Sequence, residues 1–173
     1  MYELGTNIIL SARKRLCIIQ QTPSLLLGCR PYNAPEEEKI LYDAKLHNAL
    51  CEWIDEAIID KERICMYIYD AQITKAEMEE HGLQNRVKER IEFFKEKERR
   101  SGHRVRISSA PFRYSGPLTV GDNWFAIWVM GGDNALSISY VNEQVADTLA
   151  NVSSQLVSKI TTAEDLLREL GLS

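Results

Sequence analysis

The feature that most constrains this chain is an alternation of buried strands with long helices. The apolar run Leu16 to Thr22 is typical of a buried strand, and Pro35 to Lys61 repeats apolar residues at helical spacing. Arg63 to Asp70 is a second strand, rich in branched and aromatic residues, and the long helix that follows ends at Ser101 and Gly102. Such long connections predict parallel strands joined by crossover helices.

The second half of the chain is dense in strands. From His103 the apolar residues alternate with polar ones, and further strands are expected at Pro117 to Val120, Trp124 to Met130 and Leu136 to Tyr140. A helix then follows with apolar residues on one side, namely Val141, Val145, Leu149, Val152 and Leu156. The sequence therefore predicts the α/β class, as a three-layer sandwich in which helices flank a mixed β-sheet.

The chain of 173 residues has the size of a single domain, 1–173, with 161–173 as a C-terminal helical extension. That extension begins at Thr161 or Thr162, takes Glu164 or Asp165 as its capping-box partner and stops at Gly171. Gly82 weakens the second long helix by about 1 kcal/mol relative to alanine, so we expect a kink or a break there.

Composition excludes several classes of protein. Nothing approaches the roughly 18 consecutive apolar residues of a membrane span, and Glu3 stands where a secretory signal would be basic, which predicts a cytoplasmic protein without a membrane partner. The four cysteines are widely spaced, so we expect reduced, mostly buried thiols and no metal or cofactor. A formal charge of −4 argues against a general coat for nucleic acids.

Ligands of open α/β sheets usually bind beyond the carboxyl ends of the parallel strands. The residues that end the predicted strands there are polar: Gln20, Gln21, Asp70, Ser108 and Ser109. We therefore expect these residues to form the rim of any binding site.

Cations are concentrated between Arg99 and Gly121, a segment without an acidic residue. Arg104 and Arg106 fall on the same strand face, where their guanidinium groups could bind a phosphate, a carboxylate or an acidic partner. The alternative is that these arginines pair with the glutamates of the preceding helix. Both interpretations stay open at the level of the sequence.

A hairpin near the middle of the chain resembles a known pattern. Members of the phospholipase D-like superfamily carry H-x-K-x-x-x-x-D on one strand, and the next strand leads into a G-[SG]-x-N turn. Here Ser115-x-Pro117 and Asp122 occupy the first frame, and Gly131 to Asn134 (GGDN) resembles the turn, with a spacing two residues longer. The opening helix and strand, ILSARKRLCIIQQTPSLL, and the order of the helices are also similar to that family.

The resemblance implies a phospholipase D-like fold without the catalysis. The motif histidine is the nucleophile of active members and the lysine binds the phosphate, and Ser115 and Pro117 can do neither. Some degenerate members serve as effector-sensing domains of prokaryotic transcription regulators, and single domains of this type commonly pair as homodimers. The resemblance thus implies no catalytic residue and a small effector, a sugar or a phosphorylated metabolite, on the remaining polar residues of the rim: Arg106, Arg113, Tyr114, Asp122 and Asn134.

The leading hypothesis is therefore a ligand-sensing or dimerising regulatory domain, which would contact DNA only through a separate domain of a larger regulator, because the chain has no helix-turn-helix of its own. One alternative is a phosphodiesterase-like enzyme for a phosphorylated or nucleotide substrate, with His47 or His103 beside the arginines. Another is a protein-protein scaffold. Its exposed face would consist of aromatic residues, namely Trp124, Phe125, Trp128 and Tyr140.

Overall fold

The computed structural model describes residues 9–20, 36–110, 118–131, 134–156 and 162–173, and their side chains except at 36–47, 77, 81, 110, 128–138 and 156. The strands are β1 (Arg15–Gln20), β2 (Ile64–Asp70), β3 (Val105–Ala110), β4 (Leu118–Val120), β5 (Trp124–Gly131) and β6 (Asn134–Val141). The helices are α1 (Glu36–Ile59), α2 (Ala71–His81), α3 (Gln84–Arg100), α4 (Glu143–Leu156) and α5 (Ala163–Glu169).

The six strands form one mixed sheet in the order β3-β2-β1-β4-β5-β6. β1, β2 and β3 are parallel, whereas β4, β5 and β6 pair antiparallel with their neighbours. The parallel half is the half with helical crossovers, because parallel neighbours cannot be joined by a tight turn. The predicted α/β class with a mixed sheet is confirmed.

Apolar side chains cover both faces of the sheet. On one face Leu16 and Ile18 of β1 join the larger core, to which α1, α3 and α5 contribute. On the other face Cys17 and Ile19 form a smaller core with Ala146 and Ala150 of α4. Strand β1 therefore has core on both sides, as its near-continuous apolar sequence predicts.

Local signals in the sequence placed two helix boundaries correctly. Gly82 adopts a left-handed conformation, with φ of 65°, and ends α2, so that the predicted second long helix is broken there. Thr162 caps α5, and its partner in the capping box is Asp165. Both signals are local, since each depends on the residues of a single turn.

Helix α4 begins at Glu143, so Val141, which was expected in the apolar row of this helix, is instead the last residue of β6. Its sheet-facing side consists of the small residues Ala146, Ala150 and Ser153, all buried. Val145 and Val152 are exposed, whereas Leu149 is partly buried and packs against the smaller core. Small residues let the helix axis approach the sheet closely.

Candidate functional site

The side chains on the larger-core face of the three parallel strands become polar toward one edge of the sheet. Register places Leu16, Cys65 and Val105 in the first row, and Ile18, Tyr67 and Ile107 in the second. The last row, at the carboxyl ends of the strands, is Gln20, Tyr69 and Ser109. This is the edge at which open α/β sheets bind ligands. The predicted position of Gln20 and Ser109 at the rim is confirmed.

Hydrogen bonds connect the last row to its surroundings. The Tyr67 hydroxyl donates to Oε1 of Gln20, and both side chains are buried. At the outer end, Oγ of Ser109 donates to Oε2 of Glu169 over 2.9 Å, which brings the end of α5 onto the same edge. We call Gln20, Tyr67, Tyr69, Ser109 and Glu169 the carboxyl-edge cluster. Because Glu169 is exposed and Tyr69 is fully buried, the cluster extends from solvent into the core.

Tyr69 is the unusual member of this cluster. Its hydroxyl is buried and has no hydrogen-bond partner among the described residues. Burial, and then the negative charge of Glu169, raise the pKa of Tyr69, so the side chain stays a neutral phenol that can donate a hydrogen bond. Oγ1 of Thr74, in the first turn of α2, is also buried without a partner in the described part of the chain. Buried hydroxyl groups normally have a partner.

The other predicted rim residues serve the fold. Asp70 is the N-cap of α2, and its Oδ1 accepts hydrogen bonds from the backbone N–H groups of Gln72 and Ile73. Ser108 lies at the carboxyl edge on the opposite face from Ser109. Gln21 lies outside the described residues.

Asp122, predicted from the resemblance to bind ligand, lies at the opposite edge of the sheet. Its carboxylate accepts hydrogen bonds from three consecutive backbone N–H groups, those of Arg13 at 2.6 Å, Lys14 at 2.9 Å and Arg15 at 2.7 Å. The guanidinium of Arg15 donates in turn to the carbonyls of Gly121 and Asp122 and pairs with Asp147 of α4. Asp122 thus attaches the β4–β5 turn to the start of β1.

Two of the remaining predicted ligand residues, Asn134 and Arg106, lie away from Asp122. Asn134 begins β6 at the other end of β5, whose eight residues span about 25 Å at a rise of about 3.3 Å per residue. Arg106 lies on β3, and β2 and β1 separate that strand from β4. Arg113 and Tyr114 lie outside the described residues, as do Ser115 and Pro117 of the motif frame.

Two arginines of the cation-rich segment donate hydrogen bonds to backbone carbonyls. Arg104 donates to the carbonyls of Ala57, Asp60 and Arg63 over 2.8 to 3.0 Å, and so closes the end of α1. Nε of Arg106 donates to the His103 carbonyl over 2.7 Å. Arg104 and Arg106 therefore use part of their hydrogen-bonding capacity on the chain's own backbone. Arg99 does pair with a glutamate, Glu96 of its own helix.

His103, one of the two histidines of the enzyme hypothesis, lies away from the carboxyl edge. Nδ1 of His103 lies 3.3 Å from Oε1 of Glu98, in the turn that precedes β3, and hence at the edge where the parallel strands begin. The side chain of His47 lies outside the described residues.

The aromatic residues of the scaffold hypothesis divide between core and surface. Trp124 is buried in the larger core, and Phe125 packs against the smaller core and stacks on Tyr140, which is 55% exposed. The Trp128 side chain is not among those described. These residues do not form one exposed aromatic face.

A hollow of about 280 Å³ lies between α3 and α5, apart from the cluster. Its lining mixes Lys88, Lys95 and Arg168 with Glu92 and Glu164, and Lys95 pairs with Glu164 over 3.2 Å. Among the described helices, none is long and apolar enough to cross a membrane. Within the same residues, no group of three or more histidine, cysteine or acidic side chains could hold a metal ion.

Comparison with known proteins leaves the resemblance to phospholipase D-like proteins as a prediction. No protein-family model matches the sequence, and no curated protein matches it either.

Proposed function

We propose that this chain is a non-catalytic, ligand-sensing regulatory domain of the phospholipase D-like type, and that its ligand binds at the carboxyl-edge cluster. The observation that carries the proposal is the buried Tyr69 hydroxyl without a described partner, in a row that opens to solvent through Ser109 and Glu169. A bound molecule can supply the missing partner. Leaving such a group unpaired costs about 1 to 3 kcal/mol.

Catalysis is not part of the proposal. The cluster contains hydroxyl groups, one amide and one carboxylate, and none of them is a histidine or a cysteine that would act as a nucleophile near neutral pH. The motif positions expected to hold the nucleophile and the phosphate-binding lysine are Ser115 and Pro117. The same proposal places any contact with DNA in a separate domain.

Self-association is the second part of the proposal. The outward side of α4 exposes Val145 and Val152, and the neighbouring strands expose Ile127 and Tyr140 on the same face of the sheet. Apolar residues gathered in this way are typical of interaction surfaces. We therefore propose that the domain forms a homodimer, with this surface as the contact. Light scattering should give the mass of two chains for the unaltered protein and of one chain for a Val145→Lys, Val152→Lys variant.

Thermal unfolding of the full chain tests ligand binding. Sugars, amino alcohols, nucleotides and phosphorylated metabolites are added one at a time, and a ligand present at about 100 times its Kd stabilises the fold by about 2.7 kcal/mol. For a chain of this size that is a rise in Tm of roughly 5 to 10 °C. The Ser109→Ala variant should lose most of the shift, because Ser109 positions Glu169.

The control is Ser154→Ala, the same substitution at an exposed position on α4, whose hydroxyl bonds only within its own helix, to the carbonyl of Asn151. This variant should keep the full shift. Ligand binding at the cluster would be refuted by a panel in which no compound raises Tm, or by a shift of equal size in both variants.

A further inference from the structure

The charge of the carboxyl-edge cluster restricts the ligands that it can bind. Glu169 supplies a carboxylate at the solvent end of the cluster, where it accepts a hydrogen bond from Ser109. Its negative charge contributes to the raised pKa of Tyr69 at the inner end. The other members of the cluster, Gln20, Tyr67, Tyr69 and Ser109, are uncharged side chains. A phosphate or carboxylate placed between Glu169 and Tyr69 would be repelled by a like charge with no cation in the cluster to offset it.

The hydrogen-bonding capacity of the cluster indicates what would fit there. Glu169 can only accept, and an ammonium group can only donate, so the two are complementary. Hydrogen bonds of this kind, between charged groups, are roughly twice as strong as those between neutral ones. The Tyr69 hydroxyl needs an acceptor for its proton, and an ammonium group cannot provide one. A neutral oxygen elsewhere on the same ligand can.

We propose, on the basis of the ligand-binding function above, that the cluster recognises a small cation of the amino alcohol class, with its ammonium group on Glu169 and its hydroxyl oxygen on Tyr69. The cluster is arranged in the order that such a ligand requires. Its charged acceptor is exposed to solvent, where an ammonium enters at little desolvation cost, and its neutral donor is buried.

Three probes of equal length separate the charge from the shape of the ligand: 4-amino-1-butanol, 1,4-butanediol and 4-hydroxybutyrate, which are cationic, neutral and anionic. Each is titrated to millimolar concentration into the isotopically labelled full chain, and amide chemical shifts of residues 67–70 and 107–110 report binding. We expect 4-amino-1-butanol to bind at least tenfold more tightly than the diol, and 4-hydroxybutyrate not to bind.

Two variants test the assignment of the contacts. Glu169→Gln removes the charge and should weaken 4-amino-1-butanol about tenfold while leaving the diol unchanged. Tyr69→Phe removes the buried hydroxyl and should weaken both. The control is Glu89→Gln, which changes the net charge equally at an exposed position on α3 and should change neither.

The possible results distinguish this inference from the function on which it rests. If the diol or 4-hydroxybutyrate binds best and Ser109→Ala weakens it, the site is correct and the amine assignment is wrong. If 4-amino-1-butanol binds equally well to the Glu169→Gln variant, the amine assignment is also wrong. If no probe binds and no compound of the thermal panel raises Tm, both proposals fail.

Discussion

At the residue scale, Asp122 differs most from its prediction. The resemblance to phospholipase D-like proteins implied that Asp122 binds ligand, whereas in the structure its carboxylate accepts three backbone hydrogen bonds at the start of β1. Its neighbour Gly121 lies so close to the Trp124 ring that a Cβ there would overlap the indole. The turn therefore depends on its own residue types for packing and for hydrogen bonding, which is sufficient to explain the Gly-Asp pair in the sequence.

Replacement of Asp122 by alanine should leave the N–H groups of Arg13, Lys14 and Arg15 without their acceptor. Because part of this loss is offset by water at a partly exposed site, we expect the free energy of unfolding to fall by about 2 kcal/mol. Tm should then fall by roughly 4 to 8 °C. The matched control is Asn123→Ala at the exposed neighbouring position, which should change Tm by less than about 2 °C. Equal effects of both variants would show that the three hydrogen bonds are not important for stability.

At the element scale, sequence and structure agree wherever the signal is local. The break at Gly82 and the capping box at Thr162 each depend on a few consecutive residues, and both were predictable. Helix α4 shows the limit of this reasoning. An apolar row identifies a helix, but it does not decide whether small or large residues face the sheet, because that choice depends on how closely the helix packs.

The cap of α5 links an element to the candidate site. Thr162→Ala removes the side-chain acceptor for the N–H of Asp165, and N-cap losses of this kind cost about 1 kcal/mol. We expect a fall in Tm of about 2 to 4 °C, and faster hydrogen exchange of the amides of α5. The control is Thr148→Ala on α4, where the hydroxyl bonds the Gln144 carbonyl within the helix. If the two variants lose equal stability, the cap has no special role.

At the scale of the whole molecule, the sequence predicts the α/β class and the mixed sheet. It also predicts that Gln20, Asp70 and Ser109 lie at the rim, because the apolar pattern shows where the strands end and how long the crossovers are. Tyr69 and Glu169 were missed. In the sequence Tyr69 is one of several aromatic residues of a strand, and only the structure shows that its hydroxyl has no partner among the described residues. Glu169 is 60 residues from Ser109, so their contact depends on where α5 docks, and no local pattern encodes that.

Buried thiol and phenol groups make the stability of the fold sensitive to high pH. Burial raises the pKa of Cys17 from 9.0 to about 12, and it also raises the pKa values of Cys65 and Tyr69. Above pH 9 the unfolded chain loses the Cys17 proton while the folded chain keeps it, so the unfolded state binds fewer protons. The contribution to stability is therefore complete below pH 9 and is lost between pH 9 and about 12.

Urea unfolding between pH 8 and pH 11 measures this loss. Each such group contributes up to about 1.4 kcal/mol per pH unit to the fall in the free energy of unfolding. Cys17→Ala should lower stability at pH 8 through lost packing and make the fall above pH 9 less steep by about that amount. Parallel curves for the two proteins would contradict the raised pKa of Cys17.

The contacts that stabilise the fold and the proposed binding site lie at different edges of the sheet. The hydrogen bonds of Asp122 fix the chain at one edge, and the carboxyl-edge cluster lies at the other, with no residue in common. Substitutions at sites so far apart act almost additively. If the cluster binds the proposed ligand, its preference can therefore be altered at Ser109 or Glu169 with little loss of the stability margin.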